Sequence, residues 1–580
     1  MRHRPHRSHQ AWSCALAAAC ATGCGSGGSG SSSATTDTIP PQAGTVRDGL
    51  GDDVATQSSA TTIAANWSGF VDDSGAIAEY RWAIGTSPGG TELQDWTSVG
   101  TATTATNGNL ALGSGTTCHA SVRAYDAAGN ASAVATSNGV GIDLPEGGGD
   151  PGGTLAASVT QWGITWQFAA PATVGRFCNG DWWVVGPVAV VAITPGTQNR
   201  SGRQIHGSMV NPTTLAGGEH GYDSELFHPY ENDRYKPFLN RALGVAASSP
   251  LVLAPGSSLI STISYLGTGL PANGSFSQLQ TAAVLTVLAA VPPAGAFRPP
   301  YAGTDKTIRH VEADLDYTAL AGIAAAPGAP DLAATAARFQ RVWLDHCSGW
   351  TSRYLHPSDN MPDYGRDFTS LFGTGALLLQ LDLSDAQKRD LLVRLVQIGI
   401  DFFGNVQNGG FWEGVGGQGS GRKFPILLAG KVLNDAAMLA IGTTHPSGYF
   451  GPGHPNNRSQ FGEDCQTFVV QQTSPGVFNW GHGGYTAASA GLPEWGNSHS
   501  TYPSSDNASW TGDPYRRCCT ANAWVGQSLA ARIMGLRVAW NHPSYFDYQD
   551  RFMQIEQVGQ WTRSWDAWHG AMWDLHRPSF

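Results

Sequence analysis

A chain of 580 residues is too long for one hydrophobic core, and its length indicates roughly three or four domains. Charged residues make up only 13% of it, whereas glycine occurs 74 times and tryptophan 20 times, which is typical of secreted, loop-rich proteins rather than of cytosolic enzymes. The net charge of −11 argues against a general nucleic-acid binder, so we predict no nucleic-acid partner.

The N-terminal residues combine a basic start with a short stretch of small apolar residues, in MRHRPHRSHQAWSCALAAACATGC. This segment resembles a bacterial lipoprotein signal, in which Cys24 would be lipidated and become the mature N-terminus. We therefore expect a signal at residues 1–24, a glycine/serine tether at 25–37, and an extracellular or cell-surface location with membrane contact only through the lipid anchor. Ordinary signal cleavage with full secretion is the alternative.

In residues 38–143 apolar and polar residues alternate as they do in short β-strands. The alternation is seen in TTIAANWSGF, AEYRWAIGTS and HASVRAYDAAGNAS. Turn residues separate these runs, so the pattern predicts an all-β sandwich. Ser121–Ser132, with Trp67 and Trp82 on earlier strands, resembles fibronectin type III domains. The resemblance implies a spacer or binding module.

A second β region follows a linker at residues 144–155. Bulky apolar residues alternate in ITWQFAA, DWWVVGPVAVVAIT, SPLVLAPGSSLISTISYL and TAAVLTVLAAV. These runs predict a second, larger β-sandwich domain over residues 156–295.

From residue 296 onward the apolar period changes from two to about 3.6, which predicts helices. Ser384 and Gln387 have the spacing of a capping box, and Thr520 is a plausible cap of the last predicted helix. The predicted helices occupy residues 331–347, 384–403, 424–442 and 520–535. Because they alternate with long loops rich in glycine and aromatic residues, we expect stacked helical hairpins that close into an incomplete α/α toroid over residues 296–580.

The stretch DNMPDYGRDF, residues 359–368, places Tyr364 two positions before Arg366 at the start of a predicted helix. A cation beside a phenol favours the phenolate form, which suits proton transfer. A hydroxyl that closes a turn and an arginine on a solvated face would give the same sequence.

A glycine-rich segment, NGGFWEGVGGQGSGRKFPI, carries one tryptophan and three charged residues. It is not a P-loop, because Phe424 follows the lysine and the spacing differs from G-x-x-x-x-G-K-[ST]. We predict that Trp412 stacks its flat apolar face on a sugar ring, although a tryptophan packed under the loop fits equally. The charged residues predicted to contact substrate are Glu413, Arg422 and Lys423.

The densest cluster of reactive side chains lies in GLPEWGNSHSTYPSSDNASWTGDPYRRCC, residues 491–519, directly before a predicted helix. Histidine suits proton transfer near neutrality, and arginine holds a carboxylate with two parallel hydrogen bonds. This density predicts a functional loop. Its residues of interest are Glu494, Trp495, His499, Tyr502, Trp510, Tyr515, Arg516 and Arg517.

The segments MPDYGRDF, GSGRKFPILLAG, PEWGNSH and YRRCCTANAWVG, behind a β domain, resemble the α/α-toroid polysaccharide lyases, in particular the alginate-lyase-like group. The resemblance covers residues 156–580 in architecture. It implies a polysaccharide substrate and β-elimination at a uronic acid. In that reaction one group neutralises the carboxylate, a base takes the C5 proton, and an acid protonates the leaving oxygen.

Catalytic roles follow from this resemblance as expectations. His499 would be the base or the carboxylate neutraliser, and Tyr515 or Tyr364 would be the acid/base. Arg366 would clamp the carboxylate, and Glu494 is a further catalytic candidate.

Substrate-binding roles follow in the same way. Arg517 is the alternative carboxylate clamp, and Trp412 and Trp495 would line the sugar subsites. No cofactor is predicted, and the sequence leaves a divalent cation open.

Two other functions are compatible with the same residues. A glycoside hydrolase would use two carboxylates from among Glu413, Glu463, Asp464 and Glu494. A non-catalytic glycan-binding surface lipoprotein would retain glycans without cleaving them. Lyase products carry an unsaturated uronate that absorbs ultraviolet light, whereas hydrolase products do not.

Six cysteines lie outside the predicted signal, and none shows the C-x-x-C spacing of a zinc ribbon. Their pairing cannot be read from the sequence. The adjacent Cys518 and Cys519 are interpreted as buried thiols or part of a structural bridge rather than as catalytic groups. The other four are Cys118, Cys178, Cys347 and Cys465.

Overall fold

The computed structural model divides the chain into two compact units, Met1–Leu144 and Pro145–Phe580. The predicted signal, and its tether up to residue 36, lie outside the described residues. In the described ranges no helix has the length and apolar character needed to cross a bilayer. The structure describes residues 37–57, 59, 62–73, 75–108, 110, 112, 116–142, 153–213, 218–225, 234–267, 278–347, 349, 352–412, 414, 416–445, 461–478, 485–496, 514–556 and 565–580.

The first unit is a β-sandwich, as predicted. One sheet has the strand order β1-β3-β6 and the other the order β2-β9-β7-β4-β5, with β8 beside β7. The strands are β1 Thr45–Asp48, β2 Thr56–Gln57, β3 Ile63–Ser68, β4 Glu79–Gly85, β5 Gln94–Ser98, β6 Thr104–Asn107, β7 Thr117–Tyr125, β8 Ala135–Thr136 and β9 Val140–Ile142.

Alternating residues of both sheets meet in the core of this unit. Trp67 on β3 and Trp82 on β4 are buried, and the rings of Trp67 and Tyr80 meet edge to face with centroids 5.8 Å apart. After β7 the chain turns at Asp126, whose carboxylate accepts hydrogen bonds from the backbone of Ala128 and Asn130. This local hydrogen bonding explains why the sequence DAAGN ends the strand.

The second unit begins with one eight-stranded mixed sheet rather than the two stacked sheets that the sequence predicted. Its order is β16-β18-β19-β12-β11-β13-β17, with β10 beside β11, and β14 and β15 form a separate ribbon. The strands are β10 Thr154–Gln161, β11 Ile164–Arg176, β12 Trp182–Val185, β13 Val188–Thr194, β14 Gln198–Arg200, β15 Arg203–Ile205, β16 Ser208–Val210, β17 Leu251–Leu253, β18 Ser257–Ser264 and β19 Leu279–Leu288.

The sheet is curled, so that one face packs against itself. Trp166 on β11 donates a hydrogen bond from Nε1 to Oγ of Ser261 on β18 at 2.9 Å. Two strands separate these residues in the sheet order, so only a curled sheet brings them together. The predicted sandwich core is therefore supplied by a single sheet.

The opposite face of the sheet is covered by the chain that follows it. Ile260 and Val284 pack with Tyr301 and Leu344 in one buried cluster. The guanidinium of buried Arg298 also bridges two regions, because it pairs with Asp181 beside β12 and Asp401 farther along the chain, each at 2.5 Å. These contacts explain why residues 145–580 form one compact unit.

The helical region contains a large aromatic and aliphatic core. Its α-helices are α1 Leu332–Ala337, α2 Ser352–Leu355, α3 Gly365–Gln380, α4 Asp385–Gln407, α5 Lys423–Val432, α6 Ala436–Leu439, α7 Ile441–Thr444, α8 Gly462–Gln466, α9 Pro514–Cys518, α10 Ala521–Ile533, α11 Arg537–Trp540, α12 Pro543–Ile555 and α13 Ala567–His576. Short strands lie between α8 and α9: β20 Thr467–Val469, β21 Gln472–Ser474, β22 Val477–Phe478 and β23 Pro493–Trp495.

Helices α4 and α10 confirm the sequence prediction, and the capping box of Ser384 and Gln387 is present. The prediction of a helix over 331–347 is wrong beyond α1, because the chain leaves helical geometry after Ala337 while burying Trp343. The predicted helix over 424–442 is interrupted after α5, where Asn434 takes a positive φ of 53° and Asp435 caps α6.

Helix α3 packs closely against α10. A Cβ added to Gly373 would lie 2.8 Å from the backbone nitrogen of Gln527, so the two backbones approach too closely for a larger residue. Helix α4 packs similarly against α5. The part of the chain after residue 331 is thus mostly helical and built from packed helix pairs.

Candidate functional site

Tyr364 and Arg366 stand at the first turn of α3. Tyr364 is the N-cap residue with an extended backbone, and its hydroxyl accepts a hydrogen bond from the backbone N–H of Gly417 at 3.1 Å. The guanidinium carbon of Arg366 lies 5.7 Å from the centroid of the Tyr364 ring and 5.6 Å from that of Trp565. Both predicted residues are partly exposed, which leaves them accessible to a ligand.

The hydrogen bonds of Arg366 connect α3 to the end of α9. Its Nε and Nη2 bind the two carboxylate oxygens of Asp367 at 2.7 and 2.9 Å, and its Nη1 donates to the carbonyl oxygen of Cys518 at 3.3 Å. Arg366 is 30% exposed and Asp367 32%, so the pair sits at the surface, where an ion pair contributes little to stability. The guanidinium can therefore exchange Asp367 for another carboxylate at modest cost.

The glycine-rich loop completes this arrangement. A Cβ on Gly417 would lie 2.1 Å from the carbonyl oxygen of Cys519 and 3.0 Å from the side chains of both Tyr364 and Arg366. Only glycine allows this approach. We call the group that meets here the Tyr364 cluster: Tyr364, Arg366, Gly417, Cys518, Cys519 and Trp565.

Cys518 and Cys519 form a disulfide with each other, at the junction of α9 and α10. Of the two interpretations offered for the pair, the structural bridge is therefore confirmed and the buried thiols are wrong, and both residues are partly exposed. The other four cysteines outside the predicted signal are buried. The disulfide closes a small ring beside Arg366.

Trp565, which the sequence reasoning missed, is anchored by its neighbour Asp566. One oxygen of that carboxylate accepts a hydrogen bond from Ser370 Oγ at 2.9 Å and lies 2.8 Å from His569 Nδ1. Burial raises the pKa of Asp566, but His569 and these hydrogen bonds lower it overall. The sequence SWDAWHG, dense in tryptophan, aspartate and histidine, was the signal available for this site.

Glu494 and Trp495 are not accessible to a substrate. Glu494 is 2% exposed and Trp495 fully buried. One carboxylate oxygen of Glu494 accepts from both terminal nitrogens of Arg516 at 3.1 Å, and the other lies 3.5 Å from Arg551. Arg516 also donates to the hydroxyl of Tyr548 at 3.0 Å. The geometry gives Glu494 a structural role and does not fit the predicted sugar subsite at Trp495.

The charged residues after the glycine-rich loop also lie in the interior. Arg422 is 1% exposed, and its Nε lies 2.7 Å from Asp345 Oδ2. Lys423 is fully buried and pairs with Asp464, which accepts a further hydrogen bond from Trp540 at 2.7 Å. Both cations already have buried partners, so the prediction that they contact substrate does not fit their position.

Trp412 packs in the helical core. It is 4% exposed, its ring stacks on Phe461 with centroids 5.9 Å apart, and Phe402 lies on another side at 5.8 Å. The face predicted to carry a sugar is therefore covered by protein.

Arg517 is the remaining described residue of the predicted set. Its side chain is 23% exposed and pairs with buried Glu556 at 2.9 Å. It lies in α9, directly before the disulfide of the Tyr364 cluster. His499, Glu413 and the side chain of Tyr515 lie outside the described residues, although the backbone of Tyr515 belongs to α9.

Glu463 is a buried carboxylic acid beneath the glycine-rich loop. It is fully buried and accepts long hydrogen bonds, from Gly421 N at 3.3 Å and from Gln527 Nε2 at 3.5 Å. Burial, and then the charge of Asp464, raise its pKa to about 7. Such a group affects the pH dependence of stability rather than contacting a polysaccharide.

No protein-family model matches the chain, and no curated protein does. Among solved structures, the chicken CNTN1 FN1-FN3 domains are 11% identical with a TM-score of 0.14, covering 43% of this chain and 66% of that one. The central fibronectin-III array of RIM-binding protein is 14% identical with a TM-score of 0.13, covering 46% of this chain and 73% of that one. TM-scores this low support no conclusion about the fold or the function of this chain.

Proposed function

We propose that the protein is a secreted or surface-anchored bacterial enzyme that cleaves a uronic-acid-containing polysaccharide by β-elimination, on a helical region that forms an incomplete α/α toroid. The observation that carries this proposal is the meeting of Tyr364 and Arg366 with Trp565 and the end of α9 at an accessible surface. The three segments that carry them, the start of α3, the end of α9 and Trp565, lie far apart in the sequence. Their convergence is the arrangement that a substrate site requires.

The burial of the candidate carboxylates favours a lyase over a hydrolase. A hydrolase needs two acids that flank the scissile bond and reach it from the solvent. Of the carboxylates considered for that role, Glu463 and Asp464 are fully buried, and Glu494 is 2% exposed and bound to two arginines. None of these three is accessible, whereas a tyrosine and an arginine are.

In the proposed reaction Arg366 binds the uronate carboxylate in place of Asp367. This contact between the guanidinium and the carboxylate withdraws negative charge from the C5 position. Tyr364, as phenolate, removes the C5 proton; the electron pair of that C–H bond forms the C4=C5 double bond, and the C4–O bond breaks. The leaving oxygen takes a proton from a tyrosine or histidine. Trp565 offers its ring to the apolar face of a sugar.

His499 and Tyr515 keep the roles that the lyase resemblance implies, as base or neutraliser and as acid/base. Arg517 is the second candidate clamp, since it directly precedes Cys518, whose backbone carbonyl accepts a hydrogen bond from Arg366. Substituting each of them extends the test below to the whole proposed set.

The test is incubation with a panel of polyuronates and neutral polysaccharides, read for new reducing ends and for the ultraviolet absorbance of an unsaturated uronate. We expect both signals with at least one polyuronate. Tyr364→Phe should lower kcat by about 100-fold or more, because it removes the proton-transfer group. Arg366→Ala should lower kcat/KM by a similar factor, with partial rescue in Arg366→Lys.

Matched controls are Tyr317→Phe and Arg537→Ala, which alter a tyrosine and an exposed arginine elsewhere in the helical region. Both should retain activity. Reducing ends without absorbance would indicate a hydrolase, and glycan retention without either signal would indicate a binding protein. Unchanged turnover in Tyr364→Phe would remove the proposed site.

A further inference from the structure

Two arginines lie directly opposite each other on the sheet of the first unit that contains β7, β4 and β5. Arg81 on β4 and Arg123 on β7 are partners in the antiparallel register, so both side chains project from the same face. This is the outward face, because Val122 and Ala124, the neighbours of Arg123 in the chain, belong to the core on the other side. Like charges that face each other across two strands destabilise a sheet, and a bound anion would offset that cost.

Cationic side chains are scarce in this part of the protein. Residues 38–143 contain three arginines and no lysine, against ten aspartates and glutamates. Two of the three arginines meet on this face, whereas the third, Arg47, is exposed on β1 of the other sheet. Because the first unit is acidic as a whole, it does not attract polyanions non-specifically, and an anion bound here must be held by local contacts.

An aromatic ring lies beside each of the two guanidiniums. The guanidinium carbon of Arg81 is 4.7 Å from the centroid of the Tyr125 ring on β7, and that of Arg123 is 5.1 Å from the centroid of the Trp96 ring on β5. Since β4 lies between β7 and β5, the side chain of Arg123 extends across β4. All four side chains are partly exposed, and we call Arg81, Trp96, Arg123 and Tyr125 the arginine face. An aromatic ring attracts a cation without taking up its N–H groups in ordinary hydrogen bonds, so these groups remain available to an oxygen acceptor.

The two guanidiniums of the arginine face differ in their partners. Arg81 donates to both carboxylate oxygens of Glu79, from Nε at 3.0 Å and from Nη2 at 3.2 Å. Arg123 has no carboxylate or hydrogen-bond partner among the residues that the structure describes; its Nε is buried, and its two terminal nitrogens are open to solvent. A guanidinium binds a carboxylate through two parallel hydrogen bonds, so the arginine face has room for one more carboxylate, at Arg123.

The surroundings of the arginine face favour a polymer over a folded protein as the source of that carboxylate. No large aliphatic side chain is exposed on β4, β5 or β7, all of whose residues the structure describes, and protein interfaces have an apolar centre. A polyuronate instead presents a carboxylate on each of its sugar residues.

We propose that the arginine face binds an acidic polysaccharide, with a uronate carboxylate on the terminal nitrogens of Arg123. The choice of a uronate rests on the proposed function, whereas the requirement for a carboxylate comes from the two arginines alone. Binding at this face keeps the protein on the polymer between successive cleavage events.

The test is surface plasmon resonance of the full chain over immobilised polygalacturonate, alginate, dextran and polyglutamate. It is run at a salt concentration of about 0.1 M, which screens the acidic groups of the unit beyond about 10 Å. The protein carries Arg366→Ala, which removes the contribution of the proposed carboxylate clamp. We expect binding to at least one polyuronate and none to dextran. Arg123→Gln should weaken that binding by about tenfold or more, because it removes charged hydrogen-bond donors.

Arg47→Gln is the matched control, since it removes an exposed arginine of the same unit from the other sheet, and it should bind as its parent does. Arg123→Lys keeps the charge but loses the planar pair of donors, so it should retain only part of the affinity. Thermal unfolding shows whether each variant is folded.

Three outcomes would overturn the proposal: no binding to either polyuronate, equal binding in Arg123→Gln and its parent, or binding to polyglutamate or dextran as tight as to the polyuronates. The proposed reaction is judged separately, by the ultraviolet-absorbing product of protein with Arg366 intact. Binding without product contradicts the reaction alone, and product without binding at Arg123 contradicts the arginine face alone.

Discussion

The phenolic oxygen of Tyr364 lies 3.1 Å from the backbone nitrogen of Gly417, which donates a hydrogen bond to it. This bond joins the start of α3 to a loop 53 residues later in the chain. It holds the phenol beside Arg366, so the loop positions the residue that the proposed reaction needs most.

Gly417→Ala should disrupt this arrangement. The added methyl would meet the carbonyl oxygen of Cys519 at 2.1 Å, so the loop must move, at a cost of about 1–3 kcal/mol of unfolding free energy. Chemical denaturation measures that loss, and product formation should fall with it. Gly51→Ala is the control, since nothing lies within 4 Å of its added methyl. Wild-type stability in Gly417→Ala would contradict the close approach.

Glu494→Gln should destabilise the protein strongly. It leaves Arg516 and Arg551 without their buried counter-charge, and breaking a buried pair in this way costs about 3–5 kcal/mol. The measurement is equilibrium unfolding. Asp547→Asn is the matched control, because its pair with Arg537 is exposed and should contribute less than about 1 kcal/mol. A stable but inactive Glu494→Gln would instead indicate a catalytic role.

Glu463 should make the protein less stable as the pH rises. Its folded pKa of about 7 lies above the ordinary value of 4.5, so the folded state binds the proton more tightly. The stabilisation is fully present below pH 4.5 and is lost as the pH passes 7. A rise in pKa from 4.5 to about 7 corresponds to about 3 kcal/mol of unfolding free energy.

Unfolding free energies of wild type and Glu463→Gln between pH 4 and 8 check this expectation. The variant does not ionise at this position, so its stability relative to wild type should increase by about 3 kcal/mol across that interval. Parallel pH profiles would show that Glu463 is charged in the folded protein.

Mild reduction should expose two thiols selectively. The Cys518–Cys519 disulfide is partly exposed, whereas the other four cysteines of the described chain are buried. Burial raises the pKa of the Cys347 and Cys178 thiols well above the ordinary value. Alkylation followed by peptide mass mapping should label both members of the pair only after a dithiol reductant is added. Labelling of Cys347 under the same conditions would contradict the burial.

Lower product formation should accompany this reduction, because the carbonyl of Cys518 accepts the hydrogen bond from Arg366. The control is Cys465→Ser, which removes a buried thiol outside the cluster and should respond to the reductant as the wild type does. Activity that is unchanged after full reduction would show that the disulfide does not position Arg366.

Strands, helices and candidate residues that follow from a pattern of neighbouring residues were predictable from the sequence. The strands around Trp67 and Trp82 follow from alternation, and α4 follows from its period together with the capping box at Ser384. Tyr364 and Arg366 were proposed because they stand together at the start of the helix that the structure shows as α3. In each case the pattern itself spans only a few neighbouring residues, so it is visible in the sequence even where the stabilising contacts, such as the bond between Tyr364 and Gly417, are distant.

The burial of charge was not predictable in this way. Arg422 and Lys423 follow a loop of glycines and looked exposed, yet their carboxylate partners Asp345 and Asp464 lie 77 and 41 residues away. An ionised side chain enters the interior only when a partner of opposite charge meets it there. Local pattern therefore predicted α4, α10, the strands around Trp67 and Trp82, and the residue types capable of chemistry. Which of those residues stay accessible, as Arg366 does, depends on contacts between distant segments that form only when the chain folds.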